Sequence, residues 1–123
     1  MKYMILIHSN PAFVKEFEGL SEEELRGLGE GHFALADDLA ESGELIVAEG
    51  LDGPDRAVHV RVQDGRTLTS DGPYAEAKEH LAGFYLVDCA SVERAVEIAA
   101  RVPDATWGHV EVRPVLDMRA FDL

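Results

Sequence analysis

The run KYMILIH, from Lys2 to His8, is apolar, partly β-branched, and closes at Asn10-Pro11. That pattern predicts a buried strand followed by a loop. The periodicity then changes. Leu25, Leu28, Leu35 and Leu39 recur at helical spacing behind Ser21-Glu22-Glu23-Glu24. Serine followed three residues later by glutamate is a capping box, and acids in a first turn suit the helix dipole. The helix is expected to run to about Glu41 and to stop at Ser42-Gly43, where glycine supplies a left-handed C-cap. Gly27, Gly29 and Gly31 weaken it and mark a kink or a close backbone approach.

ELIVAEGL (Glu44 to Leu51) reads as a second strand, and LDGPD as a turn. AVHVRVQ alternates strictly, with Val58, Val60 and Val62 on one face and His59 and Arg61 on the other. Asp64-Gly65 is a hairpin signal, and RTLTS returns from it. GFYLVDC is a continuous apolar run, which predicts a central strand. SVERAVEIAARVP predicts a helix capped by Ser91, lined inside by Val92, Ala95, Val96 and Ala99, and ended by Pro103. HVEVRPV, from His109 to Val115, alternates again, and the tail from Leu116 is peripheral. Two helices on one face of a mostly antiparallel sheet make an α+β, ferredoxin-like sandwich. The other sheet face would stay wet in a monomer. A homodimer of the dimeric α/β-barrel type, with two sheets face to face, would bury it.

Composition narrows the picture. The 123 residues fit a single domain, 1–123, and 46% hydrophobic residues can fill one core. Lys and Arg number 11 against 24 Asp and Glu, a net charge of -13. Such a surface repels phosphate backbones and anionic lipid, so neither nucleic acid nor membrane is an expected partner. The first apolar run is too short for a signal peptide and nothing approaches a membrane span, which points to a cytoplasmic protein. Cys89 is the single cysteine, read as a buried hydrophobe at a strand end. No internal disulfide and no cysteine-based zinc site can form.

Candidate chemistry gathers at two places. His32 lies seven residues from both Leu25 and Leu39, four after Leu28 and three before Leu35, and therefore faces the sheet. An inward histidine needs a partner for a ring nitrogen. It is either a core histidine held by a backbone carbonyl or a general acid–base group lining a pocket. The second place is DGPYAEAKEHLAGFYLVD, Asp71 to Asp88. Gly72-Pro73 makes a rigid entry, Glu76 and Glu79 share one face of a turn, and Lys78 can neutralise either. The aromatic pair Phe84-Tyr85 follows directly. The cluster is either a solvated loop or a proton-transfer site beside an apolar wall. His32, Glu76, Lys78 and Glu79 are the candidate catalytic groups, with Asp71, Tyr74 and Phe84 as candidate substrate contacts. His59, His109, Glu111 and Arg113 sit on polar strand faces. His109 with Glu111 is too weak a pair to predict a metal, so neither metal nor cofactor is expected.

The segment DGPYAEAKEHLAGFYLVDCASVERAVEIAARVP, with HVEVRPV after it, resembles the YCII-related family in its DGPF branch. Tyr74 replaces the usual phenylalanine of the signature. Glu76, Lys78, Glu79, Gly83 and Glu111 to Val115 follow the family pattern. The resemblance implies a ferredoxin-like subunit that dimerises. It also implies, for some members, lyase- or dehydrochlorinase-like chemistry by a histidine–aspartate pair. The family histidine stands on the first helix, eleven residues before its terminal glycine, as His32 stands before Gly43. The family aspartate directly precedes the proline after the second helix. That position is Val102 here, and Asp104 falls on the far side of Pro103. The partner of His32 is therefore expected to be Asp71, Glu76 or Glu79. Two functions follow. One is cofactor-free acid–base catalysis of lyase, isomerase or dehydrohalogenase type on a small polar organic molecule. The other is a non-catalytic ligand-binding or accessory module, in keeping with the alternative sigma factors that neighbour genes of the DGPF branch.

Overall fold

The computed structural model describes residues 1–72, 79–107 and 110–121. Strand β1 (Lys2–Ser9) leads into helix α1 (Pro11–Glu18), then α2 (Glu22–Ser42), β2 (Leu45–Gly50), β3 (Val58–Gln63) and β4 (Arg66–Asp71). After these come β5 (His80–Asp88), α3 (Val92–Ala100) and β6 (Val110–Pro114). Short 3-10 turns span Pro54–Arg56, Pro103–Trp107 and Met118–Phe121. Among the described residues no helix is long and apolar enough to cross a membrane.

Four strands form one antiparallel sheet in the order β2-β5-β1-β6. With α2 between β1 and β2 and α3 between β5 and β6, the α+β arrangement is consistent with a ferredoxin-like fold. The continuous apolar run GFYLVDC does lie centrally, in β5, because both of its edges are paired. The β3–β4 hairpin is a separate two-stranded sheet. Its turn places Asp64 at φ 51° and Gly65 at φ 75°, the left-handed pair that a tight hairpin needs.

Local signals fix the helices. Ser21 Oγ accepts from the Glu24 N–H at 3.1 Å while the Glu24 carboxylate accepts from the Ser21 N–H at 3.2 Å, and Gly43 closes α2 at φ 82°. The segment expected to be a loop before it holds α1. Asn10 Oδ1 accepts from the Phe13 N–H at 2.8 Å, and Pro11 takes the first helical position, where a missing N–H costs nothing.

The core lies between the sheet and α2 and α3. Tyr3, Ile5 and Ile7 of β1 and Tyr85 and Val87 of β5 meet Leu35 and Leu39 of α2 and Ala95, Ile98 and Ala99 of α3. The expected inner row of α3 holds at Ala95 and Ala99 and is corrected at Val92 and Val96. Val92 and Val96 are exposed, while Ile98 and the following Val102 are buried. Cys89 is buried, as a small hydrophobe would be. Arg94 of α3 donates through Nε and Nη2 to the two oxygens of Glu44, both at 2.9 Å, which ties the helix to the start of β2. That pair holds the Glu44 carboxyl down at about 2, chiefly through the arginine and then through the Ser42 hydroxyl.

Candidate functional site

His32 stands on the inner face of α2, three residues before the fully buried Leu35. Both of its ring nitrogens are engaged. Nε2 lies 2.6 Å from Asp104 Oδ1, and Nδ1 lies 2.6 Å from Tyr85 Oη. The His32 and Tyr85 rings are nearly parallel, 14° apart, with centroids at 5.9 Å. An ionised carboxylate only accepts, so Nε2 carries the proton that goes to Asp104. In neutral imidazole Nδ1 then holds a lone pair, and Tyr85 O–H donates to it.

The acid of this set corrects the sequence expectation, which placed Asp104 beyond reach. Helix α3 ends at Ala100, Val102 turns inward, and Pro103 opens the 3-10 turn that swings Asp104 back toward α2. Gly31 permits the approach. A Cβ on Gly31 would lie 2.8 Å from Pro103 Cγ, so only glycine lets the turn come this close. Of the glycines flagged as a kink or a close approach, Gly31 is the close approach, and Gly27 and Gly29 face open space. His32 is the next residue, which is why Asp104 meets it.

Tyr85 comes from β5, between Ile5 of β1 and Ala48 of β2. Strand alternation aims its ring toward the helices, and it is 3% exposed. Burial, with the Asp104 charge as a smaller contribution, pushes its phenol up to about 12. The residue therefore stays a neutral O–H donor at physiological pH.

The triad borders a cavity of about 430 Å³. Phe33, Ala36, Ala48, Ala82 and Phe84 form much of its wall. Gly83 also lines it, and a Cβ there would come within 3.0 Å of the Glu49 carbonyl oxygen, so glycine lets β2 and β5 close behind the site. Asp104 also reaches a second, apolar cavity of about 380 Å³ bounded by Phe13, Val14, Phe17 and Leu51. Phe13 packs edge-on against Trp107 with ring centroids at 5.3 Å, which seats α1 against the same 3-10 turn. No cluster of three His, Cys, Asp or Glu residues able to hold a metal occurs among the described residues.

The other sequence candidates distribute unevenly. Phe84 lines the His32 cavity. Glu79 does not; it borders a separate hollow of about 460 Å³ with Asp52, Arg56, His59 and His80. Asp71 ends β4, exposed, and lines none of these cavities. Tyr74, Glu76, Lys78 and His109 lie outside the described residues. Glu111 accepts from Arg113 and pairs with His8 on the outer sheet face. Sequence reading set Asp104 aside as lying on the far side of Pro103 and named Tyr85 only as half of an aromatic pair. A tyrosine in the buried row of a central strand needs a partner for its hydroxyl, and that was the available signal. For Asp104 the signal was Pro103, which opens a turn toward a small residue on α2.

Residues 1–119 match the YCII-related domain. The chain is also similar to an uncharacterised protein of Rhizobium meliloti (strain 1021), 33% identical over 117 residues, covering 94% of this chain and 92% of the other. A family match over residues 1–119, with a 33% identical relative aligned over 94% of the chain, shows that the chain belongs to the YCII-related domain family.

Proposed function

We propose that this protein is a cofactor-free acid–base enzyme acting on a small organic molecule. His32 is the proton acceptor and Asp104 fixes its tautomer and stabilises the imidazolium. One observation carries the reading. A histidine with an ionic partner on one ring nitrogen sits at the wall of a cavity of about 430 Å³, a volume suited to a small ligand. Asp104 orients the ring and offsets the charge that His32 acquires, as a carboxylate does behind any histidine base. The wall is largely apolar, which favours a ligand with an apolar body and one polar group over the small polar molecule expected from sequence. Lyase, isomerase and dehydrohalogenase reactions all begin with the proton abstraction this set can perform.

The molecule in this reading works as a homodimer of the DGPF branch, in the dimeric α/β-barrel arrangement. Met4, Leu6, Val47 and Leu86 are half-buried and alternate with the residues that face the helices. They form an apolar strip on the sheet face opposite α2 and α3, and a second copy would cover it.

Proton abstraction is tested without knowing the substrate. A panel of small neutral carbon acids, aryl ketones and cyclic enones among them, is incubated in D2O and followed by proton NMR. Wild-type protein should accelerate deuterium incorporation into at least one of them. His32→Gln should lower the rate about 100-fold, in the range for loss of a general base. Compounds that bind without exchanging would favour the non-catalytic ligand-binding module instead.

A further inference from the structure

We infer that Tyr85 is the catalytic residue that meets the ligand, and that it passes the proton between the ligand and His32. The inference rests on the acid–base reading above and assigns the contact within it. With Nε2–H given to Asp104 and Nδ1 occupied by Tyr85 O–H, the neutral imidazole has no lone pair left for a substrate. The phenol is not free to swing aside. Its residue is 3% exposed, and its strand is paired on both edges, at Ile5 and at Ala48. The hydroxyl has one hydrogen, and the 2.6 Å contact to Nδ1 claims it over the His32 carbonyl at 3.5 Å. The oxygen keeps acceptor capacity, and Tyr85 lines the cavity.

The step is a coupled transfer of two protons. The ligand's C–H or O–H bond breaks and its proton joins Tyr85 Oη. The phenolic proton passes to His32 Nδ1, and the electron pair stays on the ligand. Tyrosine ends neutral, as it began, and the imidazolium is held against Asp104. In reverse, Tyr85 acts as general acid toward a leaving group or an enolate. A tyrosinate is not required. Burial and the Asp104 charge disfavour that anion, so the transfer must be concerted with His32.

A substrate-independent probe is benzenesulfonyl fluoride. The Tyr85 oxygen attacks sulfur, an S–O bond forms, the S–F bond breaks, fluoride leaves, and the phenolic proton goes to His32. Peptide mapping of labelled wild-type protein should place the sulfonate ester on Tyr85. The labelling rate should fall about 100-fold in His32→Gln, the least expected when a general base is removed. Label on His32 with Tyr85 unmodified, no label on Tyr85, or a rate indifferent to His32→Gln would each overturn the inference. Nitrogen-15 NMR of imidazole-labelled protein supplies a second readout. Wild type should show the Nε2–H tautomer with a hydrogen-bonded Nδ1 acceptor, and Tyr85→Phe, which keeps the ring and its packing, should free Nδ1. An Nδ1–H tautomer in wild type would make Tyr85 the acceptor and end the proposal. The two readings fail separately. Labelling and tautomer need no turnover, so they can hold when no carbon acid exchanges. Deuterium exchange that persists undiminished in Tyr85→Phe would leave His32 as the base and remove Tyr85 from the path.

Discussion

Two histidine–carboxylate pairs stand on opposite faces of one sheet, and they differ in almost everything except their contact distance. His32 and Asp104 meet at 2.6 Å on the helix side, and His8 and Glu111 at 2.8 Å on the open side. Histidine exposure does not separate them, at 32% for His32 and 24% for His8. The carboxylates do. Asp104 is 13% exposed, whereas Glu111 is 38% exposed and also holds Arg113 at 2.6 Å. Glu111 is thus already neutralised by a permanent cation and screened by water. Neither His8 nor Glu111 borders the three cavities described above. Among the described residues no lysine or arginine pairs with Asp104, so a proton on His32 changes the charge of the whole half-buried set. A histidine next to an acid is common. What makes one a candidate site is a carboxylate withdrawn from solvent and from competing cations, beside a space that a ligand can enter.

The largest expected effect sets the two acids against each other. Asp104→Ala leaves the His32 Nε2–H without its acceptor and should cost about 1–3 kcal/mol of stability, read by urea unfolding at neutral pH. Glu111→Ala should leave the midpoint within the scatter of the measurement, because an exposed pair adds little. Equal losses would erase the distinction.

Alkaline pH sharpens it from the tyrosine side. The folded phenol lies up at about 12 against an ordinary value of 10.0. The folded state therefore binds more protons than the unfolded chain in that window, and stability falls as pH rises from 10.0 toward about 12. Unfolding free energies measured across this range should show a shallower fall in Tyr85→Phe than in wild type. Matching profiles would mean that Tyr85 lacks the polar burial that sets the inner pair apart.

A paired glycine substitution tests how the inner site is assembled. Gly27→Ala meets open space and should stabilise α2 by about 0.5–1 kcal/mol through backbone entropy alone. Gly31→Ala gains the same helix propensity but drives Cβ into the Pro103 ring, at 2.8 Å before any adjustment. It should be less stable than Gly27→Ala and should change the His32 ring nitrogen shifts as Asp104 is pushed off. If both variants stabilise alike and leave those shifts untouched, the turn does not depend on that contact.

The smallest effect belongs to the open face. The Glu111 carboxyl is held below its ordinary range by His8 first and by Arg113 second. Its contribution is present above the unfolded value near 4.5 and is lost as pH falls below it. Glu111→Gln should slightly flatten the acid limb of the stability profile, differing most from wild type above pH 6 or so, where an ordinary glutamate of about 4.3 is ionised in either state, and meeting it at low pH. A loss at neutral pH as large as that of Asp104→Ala would give the outer pair a role denied to it here.

The sequence by itself determined the parts whose causes are local. Ser21 with Glu24 starts α2 and Gly43 stops it, Asp64-Gly65 turns the hairpin, and Ser91 caps α3, because each is a contact within a few residues of chain. Spacing alone also put His32 on the inner face of its helix. Asn10-Pro11 carried an equally local signal for α1, and the loop expectation there overlooked it. The tertiary structure decided the rest. Helical period lets Ala95 and Ala99 of α3 be joined inside by Val92 and Val96 or by Ile98 and Val102, and only the packing of the helix on the sheet selects the second. The acid for His32 was set by the same packing. Val102 buries itself, Pro103 seats against Gly31, and Asp104 is carried to a histidine 72 positions earlier in the chain. Tyr85 reaches that histidine across 53 positions because β5 lies between β1 and β2. No spacing rule encodes such meetings, since they depend on how finished elements pack and not on the residues flanking either partner.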